Sequence, residues 1–156
     1  MHWRLSRPEY ERGKGEGNRR AMKALVTKGR EVGLLAYEGD APVAWCALAP
    51  REDFIRLQAS RILQPIDAQP VWAITCFFIA KSHRRRGLSV KLLRAACEHV
   101  KNMDGKIVEG YPVEPKQGEM PDTFAWTGLA SAFKKAGFKE CARRSETRPI
   151  MRRILG

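Results

Sequence analysis

The longest run of apolar residues along the chain predicts a strand at the centre of a β-sheet. Val71–Ile79 contains no charge, no glycine and no proline, and it is rich in β-branched and aromatic residues. Continuous apolarity of this kind is typical of a strand that is buried on both faces. After the cationic stretch Lys81–Gly87, apolar residues recur four apart at Leu88, Leu92, Ala96 and Val100. This period predicts an amphipathic helix, which Asp104 and Gly105 end.

Shorter patterned segments predict the remaining strands of the same sheet. Leu34–Glu38 and Pro42–Leu48 flank the turn residues Gly39 and Asp40, which indicates a hairpin. Lys106–Tyr111 follows the helix, so strand, helix and strand form a right-handed crossover between parallel neighbours. Further predicted elements are a helix capped by Ser6, a second helix capped by Asn18, a short helix within Asp53–Leu63, a helix over Thr127–Ala136, and a final strand pair, Phe138–Ala142 and Pro149–Leu155. Together these elements predict a mixed α/β sheet.

Size and composition constrain the class of protein. A chain of 156 residues is long enough for one domain with a substantial core. The apolar run Val71–Ala80 is too short to span a bilayer, and no apolar segment of a signal peptide follows Met1–Arg4. We therefore expect no membrane segment and a cytoplasmic location. The scattered cysteines, without C-x-x-C spacing, are predicted to be reduced core residues: Cys46, Cys76, Cys97 and Cys141.

The stretch between the central strand and its helix has the chemistry of an anion site. Arg84, Arg85 and Arg86 stand just before the helix start, where unpaired N–H groups and the helix dipole favour a negative charge. Gly87 allows the backbone to approach a ligand without an intervening side chain. These residues predict a phosphate or pyrophosphate site, and the alternative is an arginine-rich solvated loop.

The same turn resembles a known family signature. Arg84-x-x-Gly87-x-Ser89 is similar to the Q/R-x-x-G-x-G/A motif of the GNAT N-acetyltransferase superfamily, with Ser89 in place of the usual glycine or alanine. Ala136-Gly137-Phe138 is similar to the tripeptide that ends the next helix in that family. The order of elements also resembles the family from roughly Leu34 to Arg153, whereas the N-terminal quarter matches only loosely.

The resemblance implies a fold, a cofactor and a set of cofactor-binding residues. It implies a GNAT-like mixed β-sheet with a central splayed parallel strand pair, flanked by helices on both faces. Residues 1–156 would form one N-acetyltransferase domain, with residues 1–33 on the acceptor side. Acetyl-CoA would be the co-substrate, and no metal is implied. The pantetheine arm would pair with the backbone of Phe77 and Ile79, an N–H near Phe77–Phe78 would polarise the thioester carbonyl, and the pyrophosphate would take the amides of Arg84, Arg85, Arg86, Gly87, Leu88 and Ser89.

The catalytic side chains depart from the family pattern. Many members carry a glutamate where this chain has Ala73, and a tyrosine where it has Phe133. Acetyl transfer needs a neutral amine and benefits from an acid for the leaving thiolate. Glu109 and Tyr111, at the end of the second splayed strand, are the candidates for base and acid, either directly or through water. Further candidates are the flap carboxylates Glu114, Glu119 and Asp122, the hydroxyls of Thr127 and Ser131, and, less favoured than their structural interpretations, His83 and Cys76.

Three classes of function remain open from the sequence. We rank an enzyme that acetylates a primary amine of a small molecule or peptide first, a non-catalytic acetyl-CoA-binding module second, and a nucleic-acid-binding protein third. The net charge of +12 favours anionic partners, but the aromatic residues do not interleave with the basic ones, so nucleic acid is disfavoured. The C-terminal arginines, Arg143 to Arg153, are expected to form a solvated face. A homodimer through the last strands is plausible on this pattern.

Overall fold

The structure, a computed structural model that describes residues 1–116 and 126–156, confirms the predicted mixed sheet. In the described residues the sheet has the strand order β1-β2-β3-β4-β6-β5. Only β3 and β4 are parallel; the other neighbouring pairs run antiparallel. The strands are β1 (Leu34–Glu38), β2 (Ala41–Pro50), β3 (Trp72–Ile79), β4 (Ile107–Gly110), β5 (Lys139–Arg143) and β6 (Pro149–Ile154).

Helices cover both faces of this sheet, as predicted. They are α1 (Arg7–Arg12), α2 (Glu16–Thr27), α3 (Ile55–Gln58), α4 (Leu88–Asn102) and α5 (Ala130–Lys135). On one face, Leu93, Ala96 and Val100 of α4 pack with Ile74 of β3 and Phe133 of α5 in a buried cluster. On the other face, Phe54 and Leu57 beside and within α3 pack with Ala73, Tyr111 and Ile150. The described residues contain no helix long and apolar enough to cross a membrane.

The parallel pair β3–β4 is joined over a short stretch only. Trp72, Ala73 and Ile74 stand opposite Val108, Glu109 and Gly110. Strand β4 then ends, whereas β3 continues to Ile79. The second half of β3 therefore leaves its neighbour, which is the splay that the fold class predicts. The prediction that β3 is buried on both faces holds for Ala73–Thr75 but is wrong for Phe78, which is 59% exposed.

A β-bulge re-aims β3 where the splay begins. Cys46 of β2 pairs with Phe77 and Leu48 pairs with Ile74, so β3 advances by one extra residue between these pairs. A bulge bends the strand and increases its twist. The extra residue lies within Thr75-Cys76. Neither residue is a glycine, so nothing in the sequence marks the bulge, which was not predicted.

The helix boundaries show where local patterns are insufficient. The capping box of Ser6 and Glu9 is confirmed. Asn18 does not cap α2, which begins two residues earlier, at Glu16; its amide instead donates to the Tyr10 carbonyl at 2.9 Å. The helix expected within Asp53–Leu63 shrinks to Ile55–Gln58. The helix expected from Thr127 begins only at Ala130, because the preceding residues bond to Val113.

Two predictions about surface and core residues need correction. Cys46 and Cys97 are buried and Cys76 is half-buried, but Cys141 is exposed on the edge strand β5; all four are free thiols. The expected solvated face of C-terminal arginines is wrong for Arg152, which is 6% exposed. The side chain of Arg152 reaches Glu109 and Asp67. The proposed dimer through β5 stays a prediction.

Candidate active site

The turn that precedes α4 presents backbone amides around an open space. Arg85 and Gly87 both have positive φ, 59° and 74°. Left-handed residues in a turn are the backbone feature from which anion-binding nests of N–H groups are built. A Cβ built on Gly87 would meet nothing within 4 Å, so a ligand can approach there. The carbonyl of Gly87 accepts from Val90 and Lys91, and no side chain among the described residues caps the first turn of α4.

The cationic side chains of this turn already have contacts within the chain. The Nε of Arg84 donates to the Ile79 carbonyl at 3.1 Å, which ties the turn to the end of β3. His83 lies 3.0 Å from Glu38 through its Nε2 and 2.8 Å from the Ser82 hydroxyl through its Nδ1. His83 is thus held to the β1–β2 hairpin, in agreement with the preference for a loop residue over a base.

The unpaired half of β3 is partly occupied by a segment from elsewhere in the chain. The Phe77 N–H donates to the Trp126 carbonyl at 2.7 Å. Gly128 and Ala130, just beyond, exchange backbone hydrogen bonds with Val113. The segment 126–129 therefore lies between β3 and the chain that follows β4, along the edge where the resemblance places the pantetheine arm.

The candidate catalytic pair lies where the two strands separate. Glu109 is paired in register with Ala73. Ala73 stands where many members of the resembled family carry their glutamate. Tyr111 donates to Glu109 Oε1 at 2.5 Å. Both side chains are buried, at 0% and 1% exposure. The structure thus brings the two predicted residues together and places the carboxylate one strand away from its usual position.

Two arginines compensate this buried carboxylate. Arg152 donates its Nε to Glu109 Oε2 at 2.6 Å, and Arg51 donates its Nε to the Tyr111 hydroxyl at 3.1 Å. Both are 6% exposed. Burial, then the Glu109 charge, raises the pKa of Tyr111 well above its usual range. The sequence analysis did not find Arg51 and Arg152, because each lies far along the chain from Glu109 and no local pattern joins them.

Where the family pattern has a tyrosine, this chain has an apolar ring, and a buried hydroxyl lies nearby in the chain, at Thr127. Phe133 is fully buried and packs edge-to-face on Phe77, with ring centroids 6.1 Å apart. Thr127 is 1% exposed, and no described residue bonds its Oγ1. Buried hydroxyls usually have a partner, so Thr127 is marked as a position for a ligand atom or a water. Ser131 is exposed on the first turn of α5.

The acidic flap contributes little free negative charge in its described part. Glu114 bonds to Lys134 at 2.8 Å and to Arg143 at 2.5 Å. These cations, Lys134 first, lower the pKa of Glu114. Glu119 and Asp122 lie outside the described residues. Cys76, next to the bulge, has a pKa raised chiefly by burial, which disfavours a thiolate nucleophile.

Comparison with known proteins shows the family. The profile of the Acetyltransferase (GNAT) family matches residues 1–113, which is well over half of the chain, and the chain belongs to this family. This confirms the resemblance drawn from Arg84–Ser89. No curated protein matches the chain by sequence.

Solved structures of the same fold support this assignment. A GNAT-family acetyltransferase from Streptococcus agalactiae aligns with a TM-score of 0.58 at 15% identity, over 94% of this chain and 78% of that chain. The aminoglycoside acetyltransferase AAC(6')-Ib in complex with coenzyme A and kanamycin gives 0.54 at 18%, over 83% and 70%. The ribosomal-protein-S18-alanine N-acetyltransferase from Escherichia coli gives 0.51 at 12%, over 86% and 76%. At these identities the likeness concerns the fold.

Proposed function

We propose that this chain transfers an acetyl group from acetyl-CoA to a primary amine, by direct attack of the amine on the thioester. The observation that carries the proposal is the pairing of an open amide nest at Arg85–Gly87 with a strand, β3, that loses its parallel neighbour after Ile74. In a member of the GNAT family these two features provide the seats for the pyrophosphate and for the pantetheine arm. The coenzyme A complex of a structural relative supports the choice of cofactor.

The pyrophosphate would bind the amides from Arg85 to Ser89 at the start of α4, and that of Arg84 only if it leaves the Lys81 carbonyl to which it donates. Three features favour an anion there: the open space at Gly87, the positive end of the α4 dipole, and the arginines Arg84, Arg85 and Arg86. Because α4 has fifteen residues, its dipole is well developed. Leu88 and Ser89 supply first-turn N–H groups, which intrahelical hydrogen bonds leave available.

The pantetheine arm would run along Phe77, Phe78 and Ile79. The Phe77 N–H points away from β2, since it bonds to Trp126. Cofactor binding along this edge therefore requires the Trp126 carbonyl to leave. The freed N–H near the bulge would then donate to the thioester carbonyl and stabilise the negative charge that develops during attack.

Glu109 and Tyr111 remain the proposed source of base and acid, directly or through water. Their position at the mouth of the splay supports the role. Both Glu109 oxygens are engaged by Tyr111 and Arg152, so proton transfer to Glu109 requires an exchange of one of these partners. Thr127 is the proposed hydrogen-bond donor to the leaving thiolate, since its hydroxyl lacks a partner among the described residues.

The decisive test compares thermal unfolding with and without acetyl-CoA. A ligand that binds only the folded state, at about a hundredfold excess over its Kd, adds about 2.7 kcal/mol, which raises Tm by about 5–10 °C. We expect this rise in the native chain and its loss in Gly87→Glu, whose carboxylate would enter the nest. Gly39→Glu is the matched control, because Gly39 also has a positive φ, 57°, and open space around its Cβ position.

A rise that both variants retain would move the pyrophosphate away from Arg84–Ser89. No rise in the native chain at saturating acetyl-CoA would remove the proposal altogether.

A second candidate is an acetyl-CoA-binding module without catalytic turnover. Ala73 and the fully buried Phe133 favour it, because neither can act as base or acid. Release of free coenzyme A with a panel of amines separates the two: binding without release of coenzyme A identifies the module.

A further inference from the structure

Four aromatic rings meet beside the splay and have no role in the proposed cofactor site. The His2 ring stands edge-to-face on three others, with centroid distances of 5.2 Å to Trp3, 5.3 Å to Tyr10 and 5.4 Å to Trp126. We call these four residues the aromatic cluster. Trp126 places the cluster beside the proposed transfer site, because its carbonyl accepts from the Phe77 N–H that acetyl-CoA would take over, while its ring contacts His2.

The aromatic cluster leaves apolar surface open next to that site. Trp126 is 38% exposed and Phe78 is 59% exposed, and both adjoin the Phe77 amide. The two exposed rings belong to segments that the Phe77–Trp126 backbone hydrogen bond joins, and exposed apolar surface of this kind is typical of a binding site. Tryptophan and phenylalanine offer rigid rings that lose little conformational entropy when they bind a ligand.

Among the described residues, the charges around the cluster do not favour a polycation. The nearby carboxylates are already paired: Asp53 with Arg4 and Arg30, and Glu11 with Lys14. The Arg56 guanidinium lies 5.9 Å from the Trp3 ring centroid, and its Nη1 is 3.0 Å from His2 Nε2. An acceptor that carried several positive charges would meet Arg56 without a free carboxylate among these neighbours.

One hydrogen-bond donor of the cluster, the indole N–H of Trp3, has no partner among the described residues. The indole Nε1 is also buried. Such a group is costly unless a ligand or water bonds it. A water molecule or an acceptor atom of a ligand is the partner that this N–H requires.

We propose that the aromatic cluster and Phe78 form the acceptor site, and that the acceptor is a primary amine carried beside an aromatic ring. The proposal rests on the acetyl transfer proposed above. Burial, then Arg56, lowers the pKa of His2, which disfavours an imidazolium charge that would repel a bound amine. The same desolvation favours the neutral form of an amine, which is the form that attacks.

The test compares acceptors with and without the ring; the peptide pair is matched in its amine, and the two free amines are compared as kcat/KM per neutral amine, since their ammonium pKa values differ. Product formation from saturating acetyl-CoA at about pH 8 is followed by mass spectrometry for 2-phenylethylamine and for a short peptide that begins with phenylalanine. The ring-free partners are n-butylamine and the same peptide beginning with alanine; spermidine is the polycation. We expect kcat/KM at least about tenfold higher for a ring-bearing acceptor than for its partner. A preference confined to the free amine or to the peptide identifies which source of the shared chemistry the site takes.

A variant tests whether the aromatic cluster is responsible. Trp126→Leu should lower the preference for 2-phenylethylamine over n-butylamine, measured as the ratio of their kcat/KM values, by about tenfold. Tyr37→Leu is the matched control, because Tyr37 is 58% exposed but lies on the edge strand β1. An effect on cofactor binding would alter both amines equally, so only a difference between them supports the acceptor site.

Binding is read apart from turnover by titrating 2-phenylethylamine into the protein with coenzyme A and following tryptophan fluorescence. A higher kcat/KM for n-butylamine or spermidine in the native chain overturns the inference and leaves acetyl transfer standing. If acetyl-CoA raises Tm but the ring-bearing acceptors neither bind nor react, the inference about the acceptor is also overturned and acetyl transfer still stands. Amine binding in a chain whose Tm does not respond to acetyl-CoA would instead overturn the proposed function and leave the aromatic site.

Discussion

Single residues decide the chemistry that this chain can offer. The glutamate and tyrosine of the family pattern are absent, but Glu109 stands in register beside Ala73. The ring of Phe133 packs against Gly128, whose added Cβ would lie 2.9 Å from it, and Thr127 directly precedes that glycine. The carboxylate of Glu109 is thus one strand away from the family's glutamate position, and the hydroxyl of Thr127 precedes the helix that carries the family's tyrosine position.

Glu109→Gln and Tyr111→Phe test the catalytic pair. Glu109→Gln leaves Arg51 and Arg152 buried without their shared charge, so we expect a loss of about 3 kcal/mol of stability. Tyr111→Phe removes a buried hydrogen bond and should cost about 1–2 kcal/mol. If the pair supplies base and acid, kcat/KM of Glu109→Gln also falls about hundredfold or more, and the acidic limb of its pH profile disappears. Unfolding curves and pH–rate profiles measure the two effects; full activity across pH in both variants would refute the assignment.

Thr127→Val tests the proposed donor to the thiolate. A hydrogen bond to a charged group is worth about 1.5–3 kcal/mol, so we expect kcat to fall about tenfold to a hundredfold with little change in KM. Thr75→Val is the control, because Thr75 is likewise a buried threonine, 2% exposed. Thr127→Val should keep its stability within about 0.5 kcal/mol, since a methyl group replaces a hydroxyl that no described residue bonds. Equal loss of kcat in both would contradict a specific role for Thr127.

At the scale of elements, the sequence predicts what local periodicity controls. The bounds of β1 are as predicted, and α4 ends within one residue of its predicted end. Both were predictable because the apolar pattern that defines each element is local; in α4 it forms one buried stripe. The late start of α5 and the bulge in β3 depend on residues distant in the chain, Val113 and Cys46 respectively. The insertion of segment 126–129 beside β3 has the same cause. No sequence pattern around Trp126 predicts its hydrogen bond with Phe77.

Gly128→Ala tests whether this insertion competes with the cofactor. Gly128 has a φ of +86°, and a Cβ there would lie 2.9 Å from the rings of both Phe77 and Phe133. The substitution should dislodge the segment and cost about 1–3 kcal/mol. If the Trp126 carbonyl holds the amide that pantetheine needs, the Kd for acetyl-CoA falls about fivefold, the equivalent of about one net hydrogen bond.

The control for Gly128→Ala is Gly29→Ala. Gly29 has a similar φ of +67° but nothing within 4 Å of its Cβ position, so it reproduces the backbone strain alone. Calorimetric titration with acetyl-CoA measures both. Weaker cofactor binding in Gly128→Ala would show that the segment supports the cofactor site and does not compete with it.

At the scale of the whole molecule, the arginines near the C-terminus are held by contacts with the chain itself. The five arginines near the C-terminus all bond to the chain itself: Arg143 to Glu114 and Glu140, Arg144 to the carbonyls of Gln64 and Pro65, Arg148 to that of Tyr111, Arg152 to Glu109 and Asp67, and Arg153 to that of Ala136. Guanidinium groups held in this way are poorly placed to track a nucleic-acid backbone, which keeps nucleic-acid binding the weakest of the three functions.

These contacts predict a fold that is sensitive to acid. Arg152 lowers the pKa of Asp67, and Arg143 lowers that of Glu140. Lys134 and Arg143 lower the pKa of Glu114. A carboxylate whose pKa is lower in the folded state stabilises the fold above its unfolded value, about 4. That stability is lost as pH falls through the lower folded value. Protonation also adds positive charge to a chain that already carries +12, so repulsion grows at the same time.

We therefore expect Tm to drop steeply between about pH 5 and about pH 3. About 0.3 M NaCl should restore part of the loss at the acid end, because it screens repulsion between like charges. Glu114→Gln should lower Tm at neutral pH and flatten the acid limb, since one of the protonating groups is gone. The control is Glu52→Gln, an exposed carboxylate in the turn that follows β2. A native Tm that stays constant to about pH 3 would show that the arginine–carboxylate contacts of the C-terminal strands contribute nothing measurable to folding, as isolated surface pairs often do not.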